Sequence, residues 1–297
     1  GLTLDNENEI PDELRDLCEN PDGYLSWITE KGDRFPAMRF AIETALSDLQ
    51  NGGKKIFAHN AFTEGKTGIP INGLIWMGNP DFMQSQIREK LETGFNCIKI
   101  KVGAIDFEQE IELIKQLRNK YSAKIIEIRL DANGAFSKED ALQKLNKLAV
   151  FDIHSIEQPI KAGQMEVMAD LCQKTPIPIA LDEELIGIKS TQINNLLDTI
   201  KPHYVILKPS LLGGFSISEA WIATAIKRQI GWWATSALES NIGLNAIAQW
   251  VFEKKSDMPQ GLGTGQLYTN NITSPLEIRD ARLYYNPEKY WQNSFGK

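Results

Sequence analysis

Lys101, Asp131, Glu157, Asp182 and Lys208 stand at or near the ends of five successive apolar runs, with Lys99 two residues before the first. Each run alternates. Ile98, Ile100 and Val102 share one face, and Lys99 and Lys101 share the other. Ile126, Ile128 and Leu130 oppose Glu127, Arg129 and Asp131, and Ile156 opposes Ser155 and Glu157. Ile179 and Leu181 oppose Ala180 and Asp182; Val205 and Leu207 oppose Ile206 and Lys208. Period-2 geometry makes each run a two-faced strand. Charged groups on a buried face are costly unless they are paired or bound to metal. Three carboxylates from separate strands suit a hard divalent cation, and an open octahedral site that keeps some waters points to Mg²⁺, for which Mn²⁺ can substitute. A metal that neutralises a substrate carboxylate also stabilises the dianion formed when an α-proton leaves. A lysine held beside a cation can act as a base near neutral pH. Any one inward Lys or Asp is readily explained as half of a buried ion pair. Five in the order Lys, Asp, Glu, Asp, Lys are not.

The elements that must position these groups can be read from the same pattern. Strand cores are predicted at 69–77, 97–102, 125–131, 154–159, 177–183, 204–209 and 233–237, with a short one near 261–264. The segments between them have helical spacing. Phe107, Ile111, Ile114, Leu117 and Tyr121 form a stripe on a helix from Asp106 to Tyr121, where Asp106 and Gln109 resemble a capping box. Eight strands alternating with helices, at a period of about 25–30 residues, mean a parallel sheet closed into a barrel, with the apolar faces against the helices and the charged faces inward. An open dinucleotide-binding sheet is disfavoured, since no GxGxxG follows the first strand. Before Gly68 the chain is polar and helix-rich. One amphipathic helix is predicted over 34–50, with Met38, Ala41, Ala45 and Leu49 inward, closed by Asn51-Gly52-Gly53.

Composition removes several classes of function. The chain has 297 residues, 42% hydrophobic and 24% charged, which is ordinary for a globular protein with a large core. Its net charge of −7 argues against nucleic acid or an anionic membrane as partner, and the metal-and-lysine set above points to a small-molecule carboxylate as the expected substrate. No apolar run approaches a membrane span. Three widely spaced cysteines (Cys18, Cys97, Cys172) without a CxxC exclude a disulfide scaffold or zinc-thiolate site and point to the cytoplasm. His59, His154 and His203 do not pair at metal-ligand spacing and read as structural. Trp232 and Trp233 read as core.

The set Lys99-Ile-Lys101, Asp131-Ala-Asn133-Gly134, Glu157-Gln158-Pro159, Asp182-Glu183 and Lys208-Pro209 resembles the enolase superfamily, in its muconate-lactonising subgroup. The resemblance runs from about Ile10 to Leu276. It implies an α/β fold, a (β/α)7β TIM-like barrel with an α+β capping domain made from both chain ends. Residues 1–66 would be the remaining part of that capping domain, 67–265 the barrel, and 266–297 the segment returning to the cap. The strands that open such a cap are not found at the start of this sequence. Within the subgroup, the likeness is to the o-succinylbenzoate synthases, carried by Lys208-Pro-Ser-Leu-Leu-Gly-Gly214, Ser236-Ala-Leu-Glu-Ser-Asn-Ile-Gly243 and Gly261-Leu-Gly-Thr-Gly265.

That resemblance implies a metal-dependent hydro-lyase of menaquinone biosynthesis. Asp131, Glu157 and Asp182 would bind Mg²⁺, Lys101 would remove the α-proton and protonate the leaving hydroxyl, and Lys208 would face the planar intermediate as a cation. Lys99 would be a supporting charge. Asn133 and Glu183 would back the ligands or serve as turn residues, while Thr235 or Ser236, Gly261 and Gly263 would hold the succinyl tail. Two lysines flanking an α-carbon serve a racemase of N-acylamino acids or a dipeptide epimerase equally well. Dipeptide epimerases, however, carry an acidic Asp-x-Asp near the eighth strand, where this chain has Gly263-Thr264-Gly265. A non-catalytic metal-binding barrel is the remaining alternative.

Overall fold

The computed structural model describes residues 2–265 and 267–292. Its strands are β1 (Ile69–Pro70), β2 (Gly73–Ile75), β3 (Cys97–Lys101), β4 (Glu127–Asp131), β5 (Ser155–Glu157), β6 (Ile179–Leu181), β7 (Tyr204–Leu207), β8 (Gly231–Ala234), β9 (Leu276–Arg279) and β10 (Arg282–Tyr285). β2 to β8 pair in chain order as one parallel sheet. The helices before the barrel are α1 (Ile10–Glu19), α2 (Tyr24–Lys31) and α3 (Pro36–Gln50). Within it come α4 (Pro80–Glu92), α5 (Phe107–Lys120), α6 (Ala141–Ala149), α7 (Met165–Lys174), α8 (Ile193–Ile200), α9 (Pro209–Leu212), α10 (Phe215–Ile226) and α11 (Asn241–Glu253). No helix among the described residues is long and apolar enough to cross a membrane.

The ring closes at its eighth position by isolated bridges only. Gln260 pairs with Ile71 and Gly261 with Thr235, through Asn72 N–H to Gln260 O and Gly261 N–H to Ala234 O. The eighth strand expected over 261–264 is thus reduced to two residues and lies slightly earlier. The first expected strand, 69–77, is split. β1 leaves the barrel to pair antiparallel with β10, which pairs with β9, and only β2 joins the parallel sheet. The period-2 pattern cannot register such a change of partner, because both halves alternate alike.

The inward and outward faces follow the alternation. Ile98, Ile100, Ile128 and Ile156 are fully buried in the main core, and their charged neighbours point into the barrel. Deeper in the barrel Arg129 is 1% exposed, its Nε donating to Glu127 and its Nη1 to the Pro259 carbonyl, with the guanidinium over the Trp233 ring. Asp106 caps α5 by accepting from Glu108 and Gln109 N–H, as the sequence suggested. The buried face of α5 is Glu110, Leu113, Ile114 and Leu117.

α3 is turned from the expected face. Its buried face is Pro36, Met38, Phe40 and Thr44, while Ala41, Ala45 and Leu49 are exposed. Phe40 sets the rotation by packing edge-on against Phe215 of α10. Two carboxylates fix α3 in place. Asp5, 32 residues before Ala37 in sequence, accepts from Ala37 and Met38 N–H at 3.0 Å, satisfying amides that the helix leaves free at its start. Glu43 of α3 does the same for α10, accepting from Phe215 and Ser216 N–H.

Candidate active site

The ionic residues meet at the C-terminal mouth of the barrel. Asp131, Glu157 and Asp182 are 1–2% exposed. Lys99 Nζ lies 2.9 Å from Asp131 Oδ2 and 2.5 Å from Glu157 Oε2. Lys101 Nζ donates to Asp131 Oδ2 at 3.0 Å and to Asn133 Oδ1 at 2.5 Å. Lys208 pairs with Asp182 from the other side. Asn133 donates in turn to Glu183 Oε1 at 2.9 Å, so Asn133 and Glu183 do touch the cluster. Adjacent strands in register explain the convergence: Lys101 is level with Asp131, and Asp131 with Glu157.

The electrostatics of this group are lopsided. Burial alone would push the Lys99 ammonium down, but Asp131, Glu157 and Asp182 outweigh it and raise its pKa. Burial works to raise Asp131 too; Lys99 and Lys101 overcome it and hold the carboxyl well below its ordinary range. Glu157 goes the other way, pushed up by burial and by the charge of Asp131. Glu183 is also raised, by burial and then by Asp182. Four carboxyls face three ammonium groups, and Glu157 is the member left short of positive charge.

Beside the cluster is a cavity of about 180 Å³. Lys99, Lys101, Lys208 and Asp131 line one side, while Thr235, Ser236, Gly261 and Gly263 line another, so the expected tail-binding residues share the cavity with the lysines. Glu157, Asp182 and Glu183 lie behind this lining rather than in it. Trp76 forms an apolar wall, its ring 5.9 Å from Lys101 Nζ.

Two positioning groups escaped the sequence reading. Gln158, fully buried, accepts from Asp182 N–H and Glu184 N–H and donates to Glu184, tying the β5 end to the β6 end. Its φ of 37° is the kind of backbone detail that no periodicity reveals. Glu239 accepts from Ser210 Oγ, Ser236 Oγ and Ala237 N–H, joining the segment after Lys208 to the cavity wall. The Ser236–Gly243 motif contained it, but nothing in its spacing marked a clip.

A sequence profile described as "Enolase C-terminal domain-like" matches residues 83–288. The chain belongs to the enolase superfamily. It is 54% identical over 258 residues to the o-succinylbenzoate synthase of Desulfotalea psychrophila, covering 87% of this chain and 70% of that one. The crystal structure of MenC from that organism superposes with a TM-score of 0.88 at 47% identity, covering 96% of this chain and 88% of the other. An L-amino acid-D/L-Glu epimerase of Francisella philomiragia is 27% identical over 218 residues, covering 72% of this chain and 60% of the epimerase. A dipeptide epimerase of Enterococcus faecalis shares the fold, with a TM-score of 0.73 at 22% identity over 84% of this chain and 72% of that one.

Enzymes of this superfamily use a divalent metal. As the side chains stand, the ammonium groups lie between the carboxylates, and no three His, Cys, Asp or Glu among the described residues are disposed to hold an ion. The donor set nevertheless fits one. All three strand-end carboxylates are hard oxygen donors, and Glu157 Oε1 is buried without a hydrogen-bond partner. The surplus of negative charge calls for a cation.

Proposed function

We propose that this chain is an o-succinylbenzoate synthase, removing water from a succinyl-hydroxy-cyclohexadiene carboxylate to give o-succinylbenzoate in menaquinone biosynthesis. The 54% identity to a synthase of that name, over most of this chain, carries the reading. Residues 67–265 would be the catalytic barrel, with 1–66 and 266–297 as its capping pieces, of which 1, 266 and 293–297 lie outside the described residues. The thiols of Cys18, Cys97 and Cys172 are unpaired, which suits the reducing cytoplasm.

Asp131, Glu157 and Asp182 would hold Mg²⁺. When bound, the ion supplies positive charge against the substrate carboxylate as it becomes a dianion. The chain's own residues do the rest. Lys101, in the cavity and oriented by Asp131 and Asn133, takes the α-proton. The same ammonium then gives that proton to the ring hydroxyl, which departs as water while the electron pair completes the aromatic ring. To act as the base, Lys101 enters each turnover as the amine, one proton short of the ammonium that pairs with Asp131 and Asn133 in the substrate-free site, and it leaves the turnover as that amine. Lys208 stays a cation on the opposite side. Burial works against its charge, but Asp182 and Glu157 raise its pKa, and it faces the flat intermediate. Lys99 bridges Asp131 and Glu157 and keeps them apart in orientation.

The lysine pair would also serve a racemase, and the two readings divide on product. The synthase aromatises the cyclohexadiene, seen as a new ultraviolet absorbance; a racemase exchanges solvent deuterium into the α-position of an N-acylamino acid. Lys101→Ala should abolish the first activity with the fold intact by circular dichroism. Exchange without aromatisation would overturn the synthase reading.

A further inference from the structure

The active-site cavity has a larger neighbour. A second cavity, of about 530 Å³, lies between β2, α4 and β9, against Gln86, Lys90, Phe95 and Ile278. Trp76 lines both, and among the described residues it is the one aromatic side chain they share. Register explains its place. Leu74 is level with Lys99 and Ile75 with Ile100, so the chain leaves β2 with Trp76 beside Lys101 on the same inward face. The indole is half-buried, and its centroid lies 5.9 Å from Lys101 Nζ, at the edge of cation–π range.

A side chain holds the indole there. The β2 ladder with β3 ends at Ile75, and the backbone of Trp76 pairs with the Gln86 amide instead. Trp76 N–H donates to Gln86 Oε1, and Gln86 Nε2 donates to the Trp76 carbonyl, both at 3.0 Å. This two-bond clamp satisfies both backbone groups of one residue. Its base is stiff. Met83 and Ile87, which flank Gln86 on α4, are buried in the main core, and Asn79 caps the helix by accepting from Phe82 N–H. We propose that Trp76 is a specificity-determining residue, a partition that limits the width of the carboxylate body placed against Lys101, and that Gln86 is the residue that positions it. Open volume lies behind the indole, so this ring sets the limit and the packing of the fold does not. The favoured ligand is a carboxylate on a single flat ring. A wider, fused ring must push the indole toward the second cavity and break the clamp. The reaction performed beside Lys101 rests on the synthase reading; the width limit does not.

Benzoate and naphthoate, aryl carboxylates that differ by one fused ring, serve as probes. Their binding is measured by calorimetry on the full chain with Mg²⁺ present, alongside thermal unfolding, and the readout is the ratio of the two affinities. Trp76→Ala should shift that ratio about tenfold toward naphthoate. Trp76→Phe, a smaller ring on the same clamp, should shift it the same way by less, and it stands in if the alanine variant does not fold. Gln86→Leu keeps the indole but frees it, and should shift the ratio about threefold. An unchanged ratio in folded Trp76→Ala or Trp76→Phe would overturn the partition. A Gln86→Leu variant that melts earlier with an unchanged ratio would overturn the positioning role and leave Gln86 a structural contact. Wild-type protein that aromatises the cyclohexadiene while no variant shifts the ratio would sink the partition alone. Shifted ratios in a wild-type background that aromatises nothing would sink the synthase reading and leave the partition standing.

Discussion

Gly103→Ala probes how the loops behind Lys101 are held. Gly103 lies two residues after Lys101 at φ +92°, and its N–H donates to the buried Glu110 at 2.6 Å. Ala135 lies two residues after Asn133, which holds the Lys101 ammonium. A Cβ added at Gly103 would overlap the Ala135 methyl, far inside ordinary carbon contact. Two costs follow. The left-handed backbone costs a non-glycine residue about 1–2 kcal/mol. Overpacking against a neighbour that cannot yield costs about 1–3 kcal/mol more. Gly103→Ala should therefore lose about 2–5 kcal/mol by denaturant unfolding, with a fall in kcat as the two loops part. Ala135→Gly alone should cost about 0.4–1 kcal/mol through chain entropy. Combined with Gly103→Ala it should return the steric part, a coupling of about 1–3 kcal/mol, while the backbone part remains. Strictly additive losses would refute the contact, and a neutral Gly103→Ala would refute the whole account.

Exhaustive chelation should reduce turnover on the order of a thousandfold and lower the melting temperature, with both restored by Mg²⁺; full activity in chelator would remove the metal from the site. Lys208→Arg should keep some dehydration, since a cation remains, but allow no proton exchange from that face, because arginine does not deprotonate. Retained two-face racemisation of an N-acylamino acid by that variant would contradict the role given to Lys208. His203 Nδ1 accepts the Ile179 N–H, and burial lowers its pKa, so the unfolded chain takes up the proton first as pH falls. Stability from this group is present above about pH 6.5 and drains away toward its lowered pKa. His203→Gln should flatten the pH dependence of unfolding below about pH 6.5, and an unchanged slope there would count against it.

What the sequence revealed and what it hid divide along a physical line. Alternation places Lys99, Lys101, Asp131 and Glu157 on an inward face without knowledge of any partner, because the period of a strand is fixed by its own backbone. Convergence on one mouth then follows from parallel strands in register. Asp5 capping α3, Gln158 spanning two strand ends and Glu239 clipping a wall are contacts between distant segments, and no local spacing encodes them. The face of α3 departs from the helical stripe because small alanines fit such a stripe as well as Phe40 does. Once packed, it is bulk that decides.

The two-residue link at Gln260–Gly261 gives the ring a seam. Every other junction is a ladder of paired residues, whereas this one hangs on isolated bridges to Ile71 and Thr235. Amide protons there should exchange with solvent sooner than those of β3 or β4, as the ring breathes along its thinnest join. Thr235 and Asn72 border that join. A bulkier guest would then be accommodated by spreading the barrel at one line, without disturbing the strands that carry the charges.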